Sequence, residues 1–300
     1  MYTLFVINKN ACRGKCKHRN KESGNCKISN GKDGNIVQCV GEWAEDKYFF
    51  LMHYIEATKG ARQKYSRYKN SIFIDLFSGP GKCIVRNSGK EIDGGALRVL
   101  NHYDVPFTEY YLIDTSSENI AAFKLIVGNR SEVTFFQKDS NVFISELIEL
   151  LNSGSKYHVV YADPFGPEAL KFSTIKALSV LQRLDIIIHF PIGPIKRNLK
   201  SWIKKDSSIL SEFLGTERWR SEIVHIPSSG VTNYFIQLYK NQLIENGFPT
   251  NGLEVGDGVP VKNSKEVEMY KLILASKHPL GQKIWGSVKN YQPDGQKSLF

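Results

Sequence analysis

The clearest chemical pattern in the chain is the segment Asp75–Gly81, DLFSGPG, which ends the apolar run Ile72–Leu76. A strand that ends in Gly-x-Gly lets the backbone approach a ligand at a point where any Cβ would clash. The phosphate-binding P-loop is excluded, because Lys82 is followed by Cys83 rather than Ser or Thr. The dinucleotide fingerprint is also excluded, because Ile84 occupies the position of its third glycine. The segment therefore predicts a ligand-binding turn of another kind.

This segment resembles motif I of S-adenosylmethionine-dependent methyltransferases, and it meets every defined position of (D/E)-x-(F/G/Y)-x-G-x-G. The resemblance implies that Asp75 lies near the methionine part of the cofactor. It also implies a backbone cradle for the cofactor, formed by Phe77, Ser78, Gly79 and Gly81. Without the resemblance, the same residues could form an ordinary tight turn of an α/β protein.

Polar residues also follow the next two predicted strands. Asp114 closes the strand Tyr110–Ile113, where a carboxylate can accept hydrogen bonds from both ribose hydroxyls of an adenosine cofactor. Asp139 and Ser140 follow the strand Val133–Phe136, where methyltransferases of this type commonly contact the adenine amino group. Each residue alone is common at the end of a strand. Their occurrence after three successive strands favours a cofactor site.

The next predicted strand, His158–Ala162, is followed by Asp163, Pro164, Phe165 and Gly166. This loop resembles the (D/N/S)PP(Y/F/W) loop of enzymes that methylate exocyclic amino groups of bases, and the form DPFG is closer to that of tRNA guanosine dimethylases. A carboxylate that accepts the N–H bonds would localise the amine lone pair towards the methyl group.

We therefore predict Asp163, Pro164 and Phe165 as catalytic residues. The aromatic position of the motif is Gly166, so the stacking role either moves or is lost. Asp163 could alternatively only cap a loop. Methylation of the ring carbon of cytosine needs a nucleophilic cysteine after a proline in this loop, and none is present here.

Four of the five cysteines are clustered near the start of the sequence: Cys12, Cys16, Cys26 and Cys39. In a reducing compartment, clustered cysteines more often bind a metal than form disulfides. The first pair has the spacing of a zinc knuckle, whereas the second pair is too widely separated. We predict zinc held by all four thiolates. An iron–sulfur cluster and unligated thiols are the alternatives.

Apolar, strand-like runs alternate with helix-compatible stretches along the chain, and these elements must position the residues named above. The alternation predicts an α/β fold with a parallel, Rossmann-like sheet. The predicted strands are Ile72–Leu76, Tyr110–Ile113, Val133–Phe136, His158–Ala162 and Asp185–Phe190, followed by two more around Gly252–Val261 and Val267–Ala275. The last two predict a C-terminal antiparallel hairpin, and with it the outline of a class I methyltransferase. The predicted helices are Glu42–Arg67, Gly94–Asn101, Ser117–Val127, Asn141–Leu151, Ser173–Leu181 and Ser228–Asn246.

Three regions follow from these patterns: a small basic, cysteine-rich, metal-binding module at 1–41, a linking helix at 42–70, and a methyltransferase domain at 71–300. This domain carries a basic insertion at 195–225. In the insertion, Trp202 is surrounded by the five cations Lys196, Arg197, Lys200, Lys204 and Lys205. Such a mixture suits phosphates and a stacked base. A solvated helical lid is an equally open alternative.

The formal net charge of the 300-residue chain is +10. Residues 1–40 contribute 8 − 2 = +6 of it, which favours a polyanionic partner, most commonly nucleic acid. A surface that only keeps the protein soluble is the alternative. The sequence has neither a long apolar run nor the pattern of a signal peptide, so we expect a cytoplasmic protein without membrane contact.

Four longer motifs resemble those of the three-Cys-motif partner proteins, a bacterial family of presumed methyltransferases. The motifs are Gly41–Lys47, Phe73–Gly81, Ala162–Leu170 and Ser276–Trp285. This resemblance implies a partner that has three cysteines and looks like a radical-S-adenosylmethionine protein.

The sequence thus predicts an enzyme, an S-adenosylmethionine-dependent methyltransferase of an exocyclic base nitrogen in nucleic acid. Two alternatives stay open. The first is methylation of a small molecule or peptide together with the radical-enzyme partner, and the second is a non-catalytic protein that binds S-adenosylmethionine.

Overall fold

The computed structural model describes residues 27–28, 31–66, 70–86, 88–152, 156–250 and 258–291. Within these residues the chain forms an α/β fold. Its strands are β1 (Lys27–Ile28), β2 (Val37–Val40), β3 (Ser71–Asp75), β4 (Lys82–Val85), β5 (Glu91–Asp93), β6 (Glu109–Asp114), β7 (Val133–Gln137), β8 (Tyr157–Ala162), β9 (Leu184–Phe190), β10 (Val259–Lys262) and β11 (Glu268–Ser276). Its helices are α1 (Trp43–Ala57), α2 (Lys59–Ser66), α3 (Gly95–Leu100), α4 (Ser117–Val127), α5 (Ser140–Leu151), α6 (Phe172–Leu178), α7 (Ile192–Lys204), α8 (Ile209–Leu214), α9 (Trp219–Glu222), α10 (Val231–Glu245) and α11 (Pro279–Val288).

The main sheet has seven strands in the order β10-β11-β9-β8-β3-β6-β7. Five of them, from β9 to β7, run parallel, whereas β11 is antiparallel to β9 and β10 is antiparallel to β11. The prediction of an α/β fold with a parallel sheet and a C-terminal antiparallel hairpin is therefore confirmed. The buried strands β3, β8 and β9 read as continuous apolar runs because helices cover both faces of the sheet.

The parallel strands place the predicted site residues at one edge. Asp75 ends β3, Asp114 ends β6, and Asp163 directly follows β8. Carboxyl ends of parallel strands meet at the same edge of a sheet, which is where ligands bind in open α/β folds. This edge is called the carboxyl edge below.

A second, four-stranded sheet, β1-β2-β4-β5, was not predicted. Its strand β4 begins immediately after Gly81, so the glycine segment leads into a strand rather than into a helix. Strand β2 pairs in parallel with β4, opposing Gln38 to Cys83 and Cys39 to Ile84. Residues 37–40, at the end of the predicted cysteine-rich module, are thereby attached to the glycine segment.

Two apolar cores lie on opposite faces of the main sheet. Helix α1 packs with α3 and α11 over one face, and α5, α6, α8 and α10 cover the other. Trp202 and Trp219 are buried in the second of these layers, with 9% and 0% of their surface exposed. The expectation that Trp202 stacks on a base is therefore wrong, since its indole packs inside the domain.

Three helical segments differ from expectation. The predicted helix Glu42–Arg67 is two helices, α1 and α2, separated at Thr58, whose hydroxyl donates to the carbonyl of Tyr54 at 2.8 Å. The insertion folds into α7, α8 and α9, and α11 at the end of the described chain was not predicted. In the described parts of the chain, no helix is both long and apolar enough to cross a membrane.

Candidate functional site

The glycine segment is held at the carboxyl edge by backbone hydrogen bonds to two neighbouring strands. Leu76 N donates to the carbonyl of Tyr161 at 3.1 Å, and Ser78 N donates to the carbonyl of Ile113 at 2.8 Å. The carboxylate of Asp75 accepts a hydrogen bond from Phe77 N at 2.9 Å, which closes a tight turn at the end of β3. The loop is therefore fixed between β6 and β8.

Gly79 and Gly81 adopt positive φ angles of 61° and 84°, a region that L-residues with a side chain rarely occupy. A Cβ on Gly81 would lie 2.7 Å from the Phe123 ring. A Cβ on Gly79 would lie 2.8 Å from Oε1 of Gln38, which reaches over the loop from β2. The conformation therefore favours glycine at both positions, and at Gly81 the buried Phe123 ring also leaves no space for a side chain, whereas the flexible Gln38 amide could move away from Gly79.

Asp114 is bound to the same loop. Its Oδ2 accepts from Gly79 N at 3.0 Å, while Oδ1 accepts from Ser116 N at 2.8 Å and from Asn119 Nδ2 at 3.1 Å. The carboxylate thus joins the glycine segment to the start of α4. Asp114 therefore has a structural role at this edge, and its contact with the ribose hydroxyls stays a prediction.

Asp139 and Ser140 lie at the start of α5. Asp139 is its N-cap, and its Oδ1 accepts from Asn141 N at 2.7 Å. Ser140 is buried and donates its hydroxyl to the carbonyl of Leu76 at 2.6 Å. Both residues therefore have structural roles beside the loop, and their contact with adenine stays a prediction.

A narrow pocket of about 20 Å³ lies between the glycine segment and the loop after β8. The residues that line it are Gln38, Tyr48, Asp75, Phe77, Ser78, Pro80, Gly81, Cys83, Gly94, Gly95, Tyr161, Asp163 and Phe165. The hydroxyl of Ser78 is buried and has no hydrogen-bond partner among the described residues, whereas the hydroxyl of Tyr161 faces Asp163 and helps to lower the pKa of that carboxylate. Because an unsatisfied buried hydroxyl is costly, the Ser78 hydroxyl favours a polar ligand in this pocket.

Asp163 is the centre of a buried polar group that we call the Asp163 cluster, with Lys47 and His189 as its other members. Nζ of Lys47 lies 2.5 Å from Oδ2 of Asp163, and Nδ1 of His189 lies 3.2 Å from Oδ1, without hydrogen-bond geometry. The side chains of Lys47, Asp163 and His189 are 10%, 15% and 0% exposed, respectively. Side chains from α1, from the loop after β8 and from β9 therefore meet at one carboxylate.

Charge compensation decides the protonation states in this cluster. Burial opposes ionisation of Asp163, yet His189 and Lys47 outweigh it and hold its pKa below the ordinary value. Burial likewise opposes the charge of Lys47, but Asp163 raises the pKa of this lysine overall. Burial lowers the pKa of His189 to about 4, so its ring is neutral at pH 7. Asp163 and Lys47 thus form a buried ion pair.

Asp75 is in the opposite state. Burial raises its pKa to about 8, although the hydrogen bond from Phe77 N partly counteracts this, and the nearby carboxylates of Asp163 and Asp114 raise it further. At pH 7 the carboxyl group is therefore mainly protonated. A cationic group placed beside Asp75 would favour its ionised form.

Phe165 follows Asp163 and Pro164 and lines the same pocket, with 40% of its surface exposed. A Cβ on Gly166 would lie 2.4 Å from Oε2 of Glu168, so the motif's aromatic position is occupied by a residue packed against its own loop. The exposed ring of Phe165 is therefore the aromatic surface available beside Asp163.

The predicted metal ligands Cys12, Cys16 and Cys26 lie outside the described residues. Cys39 is buried in β2 and packs against Val37 and Ile84. In the described part of the chain, no group of three or more His, Cys, Asp or Glu side chains could hold a metal ion. The four-cysteine site stays a prediction.

Sequence reasoning did not assign Lys47 and His189 to the site. Lys47 belongs to a motif that resembles the three-Cys-motif partner proteins, yet its helix lies far from Asp163 in the chain. His189 interrupts the apolar run of β9, and an imidazole inside a buried strand indicates a residue with a polar role.

No known protein family matches the chain, and no curated protein is detectably similar to it.

Proposed function

We propose that this protein is an S-adenosylmethionine-dependent methyltransferase that acts on an exocyclic nitrogen of a nucleic-acid base. One observation carries the proposal: the glycine segment after β3 and Asp163 after β8 line the same pocket at the carboxyl edge. A cofactor loop and an acceptor residue must be adjacent for a direct transfer between their ligands. This adjacency supports the proposal without relying on the resemblance of the two loops to known families.

The chemistry of the pocket residues fits S-adenosylmethionine. Asp75 lines the pocket and would provide a carboxyl group for its ammonium, and the buried hydroxyl of Ser78 would supply a further hydrogen bond. Asp114, which holds the glycine segment through Gly79 N beside the pocket, would reach the ribose hydroxyls. The positive-φ glycines leave the loop backbone without side chains. The proposal requires Gln38, which lies against Gly79, to turn aside when the cofactor enters.

When bound, S-adenosylmethionine supplies an electrophilic methyl group. Asp163 would accept an N–H bond of the exocyclic amine, and so localise the nitrogen lone pair. Because its pKa is lowered, Asp163 accepts the hydrogen bond without taking up the proton. The amine proton is therefore released to water after the methyl group has been transferred. Lys47 would hold the carboxylate in place, and the Phe165 ring would stack on the base.

The test is transfer of labelled methyl groups from S-adenosylmethionine to RNA and DNA, followed by digestion and separation of the nucleosides. We expect label in an N-methylated adenosine, guanosine or cytidine, in the ribo or deoxy form. Label in a ring-carbon methylated pyrimidine, or none in any nucleoside, would contradict the assigned acceptor.

One observation favours a second candidate, a protein that binds S-adenosylmethionine without catalysis. Both carboxylate oxygens of Asp163 already lie within 3.2 Å of a protein nitrogen, those of Lys47 and His189. A carboxylate held in this way could serve only to stabilise the loop. Cofactor binding together with no transfer to any acceptor, including small molecules and peptides, would support this candidate.

Cofactor binding should release protons at neutral pH. Asp75, with a pKa of about 8 in the free protein, must ionise to pair with the cofactor's ammonium. At pH 7 this releases about 0.9 proton per bound ligand, and affinity should rise about tenfold per pH unit until the pH reaches about 8.

Calorimetric titration of S-adenosylhomocysteine in phosphate and in Tris at pH 7 measures the released proton from the difference in enthalpy. Asp75→Asn is the control, and we expect its weaker binding to give equal enthalpies in both buffers. Equal enthalpies for the wild type would contradict the prediction.

A further inference from the structure

Helix α7 carries a row of cations on its exposed side. Its inner side is fixed by the buried residues Ile192, Ile195 and Trp202, which pack into the domain core. The exposed cations are Lys196, Arg197, Lys200, Lys204 and, directly after the helix, Lys205. None of the five forms an ion pair with a carboxylate of the described residues. Exposed cations in such a row create a strong local positive potential.

None of the four acidic residues of the same insertion forms an ion pair with this row, and each contacts another side chain. Asp206 and Glu217 pair with Arg220 at 2.8 and 2.6 Å. Glu212 pairs with Lys171 at 2.9 Å, and Glu222 accepts from the hydroxyl of Tyr234 at 2.9 Å. The exposed side of α7 therefore carries basic residues without carboxylate partners among the described residues, whereas the acidic residues of the insertion contact side chains outside this row.

The row leads to the Asp163 cluster. Helix α7 begins two residues after β9, the strand that carries His189, and packs against β11. The guanidinium of Arg197 folds back over Gly193, where a Cβ would lie 3.3 Å from Nη1 and 3.1 Å from the carbonyl of Met269. The next residue, Tyr270, has its ring 5.9 Å from Nζ of Lys47. The cations therefore extend outward from the acceptor site.

From these observations we infer that the exposed side of α7 binds the phosphate backbone of a nucleic-acid substrate and leads its base to Asp163. The inference rests on the proposed function, because it gives that function its substrate class. From Lys196 to Lys205 the row extends about 14 Å, at a rise of about 1.5 Å per helical residue. This corresponds to about four nucleotide steps at about 3.4 Å each along one strand. The exposed Phe165 ring beside Asp163 supplies a stacking surface for the extruded base.

The test compares two triple variants that remove the same charge. Lys196→Gln/Lys200→Gln/Lys204→Gln removes one line of the α7 row, since the residues are spaced four apart. Lys176→Gln/Lys265→Gln/Lys283→Gln removes three exposed lysines of α6, the β10–β11 turn and α11, which likewise form no ion pair with a described carboxylate. Fluorescence anisotropy measures their binding to labelled RNA and DNA of about 20 nucleotides across a range of salt concentrations.

We expect the α7 variant to bind at least about tenfold more weakly at about 100 mM salt and to reduce the slope of log K against log salt by about 2. The control variant should bind within about twofold of the wild type. Equal losses in the two variants, binding by the wild type that does not depend on salt, or binding to polyglutamate in place of nucleic acid would overturn the inference.

Calorimetric titration of the same proteins with S-adenosylhomocysteine separates this inference from the proposed function. Unchanged affinity in the α7 variant shows that its domain is folded and that the loss concerns α7 alone. A wild type that binds S-adenosylhomocysteine but no nucleic acid would overturn the inference and leave the cofactor site in place. A wild type that binds nucleic acid through α7 but no S-adenosylhomocysteine would overturn the proposed function instead.

Discussion

Replacement of Asp163 by Asn should lower the rate of methyl transfer by at least about 100-fold, the usual contribution of a positioned acid–base or hydrogen-bonding group. The neutral amide is a weaker acceptor, and its single oxygen would be held by Lys47, which now lies 2.5 Å from Oδ2. The affinity for S-adenosylhomocysteine should change by less than about threefold, because Asp75, Asp114 and the glycine segment stay in place. Single-turnover transfer of labelled methyl groups and calorimetric titration measure the two effects.

Asp185→Asn is the matched control, because Asp185 is also a buried carboxylate of the main sheet. It lies near the start of β9, at the opposite edge, and accepts a hydrogen bond from the hydroxyl of Tyr157 at 2.5 Å. We expect this variant to transfer methyl groups within about twofold of the wild-type rate when folded. A rate for Asp163→Asn within about threefold of the wild type would contradict the catalytic role of Asp163 and favour the non-catalytic candidate.

Replacement of Lys47 by Met should destabilise the protein by about 3 kcal/mol, because it leaves the buried carboxylate of Asp163 without its cation. The double variant Lys47→Met/Asp163→Asn removes both charges and should be more stable than the single Lys47→Met variant. Urea unfolding of the two single variants, the double variant and the wild type completes a double-mutant cycle, which isolates the interaction energy.

Lys90→Met is the control for this cycle. Nζ of Lys90 lies 2.5 Å from Oε1 of Glu45, the same distance as in the buried pair, but the two side chains are 61% and 40% exposed. Such an exposed pair contributes no more than about 1 kcal/mol. Equal destabilisation by Lys90→Met and Lys47→Met, or an interaction energy near zero between Lys47 and Asp163, would show that Lys47 does not compensate Asp163.

The predictable part of the site is the part formed by strand ends. Asp75, Asp114 and Asp163 follow apolar runs in sequence, and parallel pairing then brings them to one edge. Lys47 could not be assigned in this way, because its position depends on how α1 packs over the sheet, and helix packing leaves no local pattern in the sequence. The ion pair between Lys47 and Asp163 joins residues 116 positions apart.

Two further features show why local patterns were insufficient. Strand β4 was not predicted because Lys82–Val85 is short, and its stability comes from pairing with β2 and β5, which lie elsewhere in the chain. Trp202 was predicted to stack on a base because cations surround it in sequence, but the helical period of α7 places the cations outside and the indole inside. The strand β4 thus depends on pairing partners distant in the chain, and the burial of Trp202 depends on which side of α7 packs into the core, which the neighbouring cations did not indicate.

The central claim is that the glycine segment binds S-adenosylmethionine, and calorimetric titration of S-adenosylhomocysteine into two glycine variants tests it most directly. Gly79→Ala and Gly128→Ala place a Cβ at nearly the same positive φ, 61° and 66°. Gly128 has a ψ of −144°, a backbone region open almost only to glycine, so Gly128→Ala controls for the loss of stability that a side chain at positive φ causes. The Cβ on Gly79 would lie against Gln38, a residue that lines the pocket, whereas that on Gly128 meets no atom within 4 Å.

We predict that the wild type and Gly128→Ala bind S-adenosylhomocysteine with affinities within about twofold of each other, and that Gly79→Ala binds at least about tenfold more weakly, because its methyl group occupies the space where the ligand approaches the backbone. No binding by the wild type, or equal affinity in all three proteins, would contradict the claim.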